Sequence, residues 1–207
     1  MIEILKNSVE LVDKNKSYKT VLDKCVTAAR ICYASEKENT LESNEKFIAN
    51  LISIGHESVI EHESLSFVII TNIGCTRELN RHRHNSPNER STRYVDMSNL
   101  QIVLNDEYSE SEIASIQSAC QSIIDAYNQF PRKERDKARA ILPLCTATKE
   151  IVTMNLRQIR EVLTQRLDPH AHRDIREIAY QILDIMHENY PIFVEDIYKE
   201  FNEKRPN

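Results

Sequence analysis

The sequence predicts an α+β fold: a single helix-rich domain in which a central, mostly antiparallel β-sheet is flanked by helices. Three observations lead to this prediction. Capped amphipathic helical patterns dominate the chain, a few short β-branched runs are mixed among them, and no linker, repeat or change of composition divides the 207 residues. A chain of that length can bury one sizeable core. A helix-dominated mixture with few strands is typical of the α+β class.

The first two helices follow from the spacing of apolar residues. Over residues 17–34 apolar side chains recur at steps of one, three and four, and Ser17 is placed to cap the helix. A similar pattern predicts a second helix over residues 41–54. Gly55 follows it, and a glycine at that position can end the helix in a left-handed conformation.

The central strand is predicted over residues 64–72, S-L-S-F-V-I-I-T-N, which begins with alternation and becomes wholly apolar. That pattern is typical of a strand buried on both faces. Gly74 is expected to end the strand. Thr76 is expected to cap a short helix that carries Arg77, Glu78 and the sequence R-H-R.

The second half of the chain adds strands and several helices. Residues 101–104 are predicted as a short strand, and Ser109 with Glu112 makes a capping box for a long helix that Pro131 ends. The remaining predictions are helical structure over 133–141, a strand over 150–153, helices over 155–166 and 170–188, and a last helix from near Pro191.

Charge and cysteine usage narrow the class of function. The net charge of -5 argues against bulk attachment to a nucleic acid polymer or an anionic membrane. Five cysteines, odd in number and without C-x-x-C spacing, predict reduced thiols. The N-terminus lacks the positive flank and apolar run of a signal peptide, and no apolar segment approaches about 18 residues. We therefore predict a cytoplasmic protein that does not enter the membrane.

The most informative segment is R-H-R-H-N-S-P-N-E-R-S-T-R-Y, residues 81–94, with four arginines, two histidines and one carboxylate. Guanidinium groups repel one another unless an anion lies among them, and their planar donor fork suits phosphate and carboxylate oxygens. We therefore expect an anionic ligand here. The alternative is a solvated helix end in which Glu78 and Glu89 form weak local pairs with the arginines.

Two histidine-containing segments are poor candidates for a metal site. His56 and His62 do not have the H-E-x-x-H spacing that places two imidazoles on one helical face, and His170 and His172 lie close to arginines. We expect no metal. Residues 56–62 instead predict a polar loop that holds the entrance of the central strand or touches a ligand.

Arginines also recur on the helix predicted over residues 155–166. Arg157 and Arg166 are nine residues apart, about two and a half helical turns, so they cannot clamp one small group together. They could serve two parts of a long ligand or two neighbouring ligands.

These motifs together resemble those of the flavin-dependent thymidylate synthases. The segment R-H-R-x-x-S-x-N-E-x-S-x-R-Y of that family is met over residues 81–94. Similar family segments, in the same order, are A-A-R-I-C-Y at 28–33, G-H-E-S-V-I-E-H at 55–62, A-R-A-I-L-P at 138–143, N-L-R at 155–157 and R-L-D-P-H-A-H at 166–172. The resemblance covers about residues 20–185, nearly the whole chain.

The resemblance implies reductive methylation of dUMP to dTMP. In that reaction methylenetetrahydrofolate gives the one-carbon unit, FAD carries the hydride and NADPH reduces the flavin. It also implies a homotetramer whose active sites lie between subunits. The chain has two glycines and no G-x-G-x-x-G motif, so FAD would be held by side chains and helix ends rather than by a Rossmann loop.

Matching positions give two sets of candidate site residues. The flavin set is Ser58, Arg81, His82, Arg83, Glu89, Asn155, Leu156, Arg157 and Glu161. The nucleotide set is Glu78, Leu79, Asn80, Arg81, Glu89, Arg90, Ser91, Thr92, Arg93, Arg139 and Arg166. Glu78 stands where many members carry Gln, and Glu161 where others often carry Asn or His.

Two residues carry specific chemical hypotheses. A guanidinium from Arg166 near the pyrimidine N3 and O2 would stabilise the anionic ring and raise the nucleophilicity of carbon 5, so Arg166 is the candidate catalytic residue. Ser91 is interpreted as a ligand of the substrate phosphate rather than a nucleophile, because its neighbours Arg90 and Arg93 cannot act as a general base.

Two alternatives remain open from the sequence. One is a non-catalytic nucleotide or RNA-binding module, although Tyr94 is the one aromatic residue in the basic cluster and RNA binders usually interleave several. The other is a related flavoenzyme that has changed its nucleotide or its one-carbon donor while keeping the fold.

Overall fold

The computed structural model describes residues 2–34 and 40–205 and has the predicted α+β architecture. Its helices are α1 Tyr18–Tyr33, α2 Leu41–Ser53, α3 Ile73–Leu79, α4 Glu110–Asn128, α5 Arg135–Ala138, α6 Leu156–Arg166, α7 Arg173–Asn189 and α8 Glu195–Phe201. Its strands are β1 Glu3–Leu5, β2 Ser8–Leu11, β3 Ser64–Asn72, β4 Asn85–Glu89, β5 Gln101–Val103 and β6 Ala147–Asn155.

The larger sheet has four strands in the order β2-β3-β6-β4, and every neighbouring pair is antiparallel. β3 and β6 pair along their full length, from Ser64 opposite Asn155 to Asn72 opposite Ala147. β1 and β5 form a separate parallel pair. The predicted central, mostly antiparallel sheet is confirmed.

β3 has the predicted bounds, but the predicted burial of both its faces is wrong for the single chain. Leu65, Phe67 and Ile69 are fully buried, whereas the alternating Val68 and Ile70 are only partly buried. Side chains of successive strand residues point to opposite faces, and the helices of the chain cover one face more completely than the other.

The junction between β3 and α3 differs from the prediction. Asn72, the last residue of β3, accepts a hydrogen bond from the backbone N–H of Cys75 at 2.8 Å and caps α3. Gly74 and Thr76 therefore lie inside the helix, and their predicted roles as strand end and cap are wrong. The amide of Asn72 satisfies an N-terminal N–H group that Thr76 was expected to serve. α3 ends at Leu79, so R-H-R lies in the turn that follows it.

The predicted helix caps are otherwise confirmed. Ser17 caps α1, the capping box of Ser109 and Glu112 begins α4, and Gly55 follows α2 with a φ of 76°. α7 begins at Arg173 with His172 as its cap, three residues later than predicted, because 168–171 form a turn. Residues 132–141 form three short helical turns, the strand predicted over 150–153 extends to Ala147–Asn155, and a turn at Pro191–Phe193 precedes α8.

The segment predicted as a polar loop before β3 is a 3-10 helix, Glu57–His62, with Val59 and Ile60 buried. β1, β2 and β4 were not predicted. β4, N-S-P-N-E, is mostly polar and contains Pro87, which is tolerated because β4 lies at the edge of the sheet.

The main core lies between the sheet and the helices α1, α2, α6 and α7, and a second buried group joins β5 to α4. The five cysteines have unpaired thiols. Within residues 2–34 and 40–205, no helix is both long enough and apolar enough to cross a bilayer.

Arg160 fixes α6 to the C-terminal region. Its guanidinium makes two 2.7 Å hydrogen bonds to the carboxylate of Asp196 and others to Glu57 Oε1 and the carbonyl oxygen of Phe193. The side chain is 9% exposed. These contacts hold the helix whose far end carries Arg166.

Replacing Arg160 by methionine is expected to lower the free energy of unfolding by about 2–3 kcal/mol. Removing one partner of a buried pair costs about 3–5 kcal/mol, and the effect is smaller here because Asp196 is 56% exposed. Urea unfolding measures the change. Arg205→Met, which removes the exposed pair with Asp184, is the control. Equal losses of unfolding free energy in both variants would contradict the stabilising role assigned to Arg160.

Candidate active site

The C-terminal ends of α3 and α6 meet beside the turn that carries R-H-R. α3 follows β3 at one end of the sheet, and α6 follows β6 at the other, where Asn155 caps it by accepting from the N–H of Gln158 at 2.8 Å. The C-terminal ends of α3 and α6 border a cleft of about 550 Å³. Its lining residues are Arg81, His82, Arg83, His84, Glu161, Gln165 and Arg166.

Arg166 is held by three contacts at the base of this cleft. Its Nε donates to His82 Nε2 at 3.0 Å, its Nη2 to the carbonyl oxygen of Glu78 at 3.1 Å, and its Nη1 lies 3.5 Å from Glu78 Oε2. The side chain is 21% exposed. The guanidinium is therefore oriented by the protein while part of it still faces the cleft.

His82 acts as the acceptor for Arg166 and is therefore neutral, with its proton on Nδ1. The residue is buried, and burial together with the positive charge of Arg166 lowers the pKa of the imidazole. A lowered pKa keeps the ring uncharged at neutral pH, so the two side chains do not repel each other in the working range.

A second hollow of about 220 Å³ continues from the cleft, because His84 and Glu161 line both. It is also lined by Glu61, Asn155 and Arg157. Arg157 Nη1 donates to Glu61 Oε1 at 2.5 Å. Ser58 lies on the neighbouring 3-10 helix, which packs against α6, and its side chain is exposed. The structure thus brings together the flavin set, apart from Glu89.

Five of the predicted arginines are exposed and form no ion pair with a carboxylate in the described part of the chain. They are Arg81, Arg83, Arg90, Arg93 and Arg139. The local pairs considered from the sequence are not formed. Glu78 instead contacts Arg166, and Glu89 Oε1 accepts from the hydroxyl of Thr76 at 3.1 Å. The arginines are thus available to an external anion.

The nucleotide set is divided within the single chain. Glu78, Arg81 and Arg166 lie at the cleft, whereas Arg93 lines a separate hollow of about 330 Å³ together with Arg132 and Arg135. Neither hollow is lined by the following residues of the nucleotide set: Glu89, Arg90, Ser91, Thr92 and Arg139. We refer to residues 89–93 and Arg139, none of which lines the cleft, as the second group.

The environment of Ser91 favours binding over nucleophilic attack. Its Oγ accepts from the backbone N–H of Arg93 at 3.2 Å. No His, Asp or Glu among the described residues forms a hydrogen bond with this hydroxyl. A serine nucleophile would need an adjacent general base.

The side chains of Leu79 and Leu156 belong to the core and are fully buried. A ligand could contact these two residues only through their backbone atoms. Asn80 is partly buried, and its Nδ2 donates to Glu150 Oε2 at 3.2 Å. Its amide is thus directed toward the sheet.

Three residues of this region were not predicted from the sequence: His84, Gln165 and Glu150. His84 directly follows R-H-R in the basic segment, so its position in the sequence could have marked it as a site residue. Gln165 lies one residue before Arg166 on α6, and nothing in the local pattern marked it. Glu150 resembles an ordinary polar residue of a strand, and only its burial in the structure distinguishes it.

A further cavity of about 510 Å³ lies elsewhere, between the N-terminal segment and α7. It contains none of the predicted site residues. All three of its arginines already have carboxylate partners: Arg173 with Asp106 and Glu177, Arg176 with Glu107, and Arg205 with Asp184. The site predicted from the sequence therefore lies elsewhere.

The α+β scaffold thus carries a cleft lined by Arg81, Arg83 and Arg166, which fits an enzyme that acts on an anionic ligand. The sequence profile described as "Thymidylate synthase complementing protein" matches residues 10–192. The chain therefore belongs to the thymidylate synthase complementing protein family, and it is a methylase of that family. The resemblance to the flavin-dependent thymidylate synthases is confirmed.

Individual relatives agree with the family. The chain is 34% identical over 192 residues to a probable flavin-dependent thymidylate synthase of Mycobacterium phage D29, covering 84% of this chain and 82% of the relative. It is 35% identical over 179 residues to the flavin-dependent thymidylate synthase of Mycobacterium tuberculosis, covering 75% and 71%.

Among solved structures, a UMP/dUMP methylase, PolB from Streptomyces cacaoi bound with 5-Br dUMP, is similar at a TM-score of 0.82. The identity is 25%, and the match covers 97% of this chain and 98% of that one.

Proposed function

We propose that the protein is an FAD-dependent thymidylate synthase that converts dUMP to dTMP. Methylenetetrahydrofolate would donate the one-carbon unit, and NADPH would reduce the flavin. The observation that carries this proposal is a cleft lined by Arg81 and Arg83, which form no ion pair among the described residues, and by Arg166, which His82 and Glu78 orient. The chain would fold as one domain.

The donor chemistry of the cleft fits a flavin dinucleotide. Its pyrophosphate needs cationic partners, and Arg81, Arg83 and Arg157 surround the joined hollows. Ser58, Asn155 and Glu161 add hydrogen-bonding groups at the same place. When bound, FAD would supply the hydride, and the side chains would orient it and exclude water.

Arg166 is proposed to polarise the pyrimidine. A guanidinium directed at the ring O2 and N3 stabilises negative charge there and raises the electron density at carbon 5. The contacts to His82 and Glu78 fix its orientation before the nucleotide binds. A donor that is already oriented needs no reorganisation during the reaction.

Ser91→Ala is expected to raise the KM for dUMP by roughly tenfold and to leave kcat within about twofold. Loss of a hydrogen bond to a charged phosphate costs about 1.5–3 kcal/mol. Steady-state kinetics at saturating folate and NADPH measure both constants. Ser122→Ala, at an exposed position of α4, is the control. Complete loss of turnover with unchanged nucleotide affinity would instead support a nucleophilic role.

We further propose a homotetramer in which neighbouring subunits complete each active site. The division of the nucleotide set supports this, since Arg90, Ser91 and Arg139 lie outside the cleft that holds Arg166. The incompletely covered face of the sheet, with Ile151 38% exposed, offers an apolar surface for association. Size-exclusion chromatography with light scattering would measure the mass of the oligomer.

The decisive experiment is the absorbance spectrum of the purified protein. We expect a bound-flavin spectrum that bleaches with NADPH without oxygen and returns on addition of dUMP and methylenetetrahydrofolate. Protein that remains colourless even after incubation with FAD would overturn the proposal. If the flavin bleaches but no nucleotide causes it to reoxidise, the FAD assignment would stand and the proposed reaction would be wrong.

A second candidate is a related methylase that accepts UMP as well as dUMP. The similarity to the UMP/dUMP methylase PolB favours it. The ratio of kcat/KM for the two nucleotides decides between the candidates, because only an enzyme that discriminates the ribose 2′-OH would turn over dUMP alone. A purely RNA-binding function is disfavoured by membership in a family of methylases.

A further inference from the structure

Glu150 is a buried carboxyl group next to the turn that carries R-H-R. It lies in β6, is 1% exposed, and stands opposite Glu89 of β4 in the sheet register. Asn80, at the end of α3, donates its Nδ2 to Glu150 Oε2 at 3.2 Å. Glu150 therefore contacts the residue that precedes Arg81 of the cleft, and it stands opposite Glu89.

Two acceptor atoms of this contact lack partners. Glu150 Oε1 and Asn80 Oδ1 are both buried and make no hydrogen bond within the described part of the chain. The hydroxyl oxygen of Thr148, also buried, is likewise unsatisfied. Each unsatisfied buried polar group costs about 1–3 kcal/mol, so the arrangement is unfavourable if Glu150 is ionised.

The surrounding groups also oppose ionisation. The titratable groups that face Glu150 are Glu89 from β4 and the thiol of Cys75 from α3, and no described cation forms an ion pair with it. Burial raises the pKa of Glu150 to about 7, the hydrogen bond from Asn80 opposes this rise, and the charge of Glu89 adds to it. The neutral acid is thus accessible at physiological pH.

We propose that neutral Glu150 and Asn80 form a cyclic acid–amide pair that positions the turn after α3, in which Arg81 is a predicted nucleotide ligand. In this pair Asn80 Nδ2 donates to Glu150 Oε2, and the protonated Oε1 donates to Asn80 Oδ1. The proton on Glu150 Oε1 gives both this atom and Asn80 Oδ1 a hydrogen-bond partner. The inference rests on the proposed nucleotide site, and it makes Glu150 a positioning residue of that site rather than a catalytic residue.

Ionisation of Glu150 breaks this pair. The carboxylate can no longer donate to Asn80 Oδ1, and it adds negative charge next to Glu89 and the predicted phosphate ligands. The affinity for an anionic nucleotide should therefore fall as the pH rises through about 7. The chemical step should change less, because Glu150 is buried and does not line the cleft.

Glu150→Gln provides a matched test. Glutamine can form the same cyclic pair with Asn80 through its own amide, and that pair does not titrate. We expect the KM for dUMP of the wild-type enzyme to rise about tenfold more between pH 6 and 8.5 than that of Glu150→Gln, with similar kcat profiles. Titration of the nucleotide phosphate is common to both proteins and cancels in the comparison.

The outcomes separate this inference from the proposed function. Parallel KM profiles in two active enzymes would overturn the role of Glu150 and leave the function intact. Absence of dUMP binding at every pH would overturn the function. If Glu150→Gln fails to fold, infrared difference spectra of the wild-type protein between pH 6 and 8.5 must show the loss of a neutral carboxyl band, and its absence would overturn the inference.

Discussion

Arg166→Ala is expected to lower kcat by about 10²–10³-fold, the effect typical of removing one oriented donor from a developing negative charge. The structure supports so large a value because three contacts from His82 and Glu78 orient the guanidinium at the cleft. The KM for dUMP should rise much less than kcat falls. Steady-state and single-turnover flavin reoxidation measure the chemical step directly.

Arg166→Lys separates charge from geometry. Lysine keeps the positive charge but cannot donate to His82 and Glu78 while also facing the ring. We expect an activity between those of wild type and the alanine variant. Arg205→Ala, at the C-terminus and outside the cleft, is the control and should be fully active. Near-normal kcat with only a raised KM in Arg166→Ala would exclude electrostatic activation.

Mixing two inactive variants is expected to restore activity if subunits share the active site. Arg166→Ala removes the cleft group, and Arg90→Ala removes a predicted phosphate ligand of the second group. Each pure oligomer should be nearly inactive. After dissociation and random reassociation, about one quarter of the sites should contain both wild-type residues, because half of the subunits supply each intact group.

A second mixture controls for this result. Arg81 and Arg166 line the same cleft of one chain, so mixing Arg81→Ala with Arg166→Ala should restore no complete cleft. Recovery in the first mixture but not in the second would support sites shared between subunits. A lack of recovery in the first mixture, with re-formation of oligomers verified by mass, would show that one chain supplies both groups.

Local patterns predicted the elements that have strong local signals. α1, α2 and α4 combine regular apolar spacing with a cap or terminating glycine, and the bounds of β3 follow from its β-branched run. β4 escaped prediction because a polar edge strand with Pro87 depends on its neighbour β6 rather than on its own propensity. The start of α3 was misplaced because strand end and helix cap coincide at Asn72.

In the candidate site too, some features follow from local sequence and others depend on distant contacts. Arginine density and motif order indicated an anionic ligand, and the family suggested by them is confirmed. The sequence could not show that Arg166 rests on His82 and Glu78, since these residues are more than eighty positions away. Nor could it show that Arg90 and Arg139 lie apart from the cleft.

Periodicity, caps and charge are properties of neighbouring residues, and they were enough to predict the fold class, the local helices and β3, and the positive character of the site. Contacts in the folded chain were needed to establish which charges remain unpaired, which face of the sheet is left partly exposed, and that Glu150 is buried against Asn80 and opposite Glu89. Burial and register depend on contacts between distant segments, and these contacts set the protonation and orientation of the side chains.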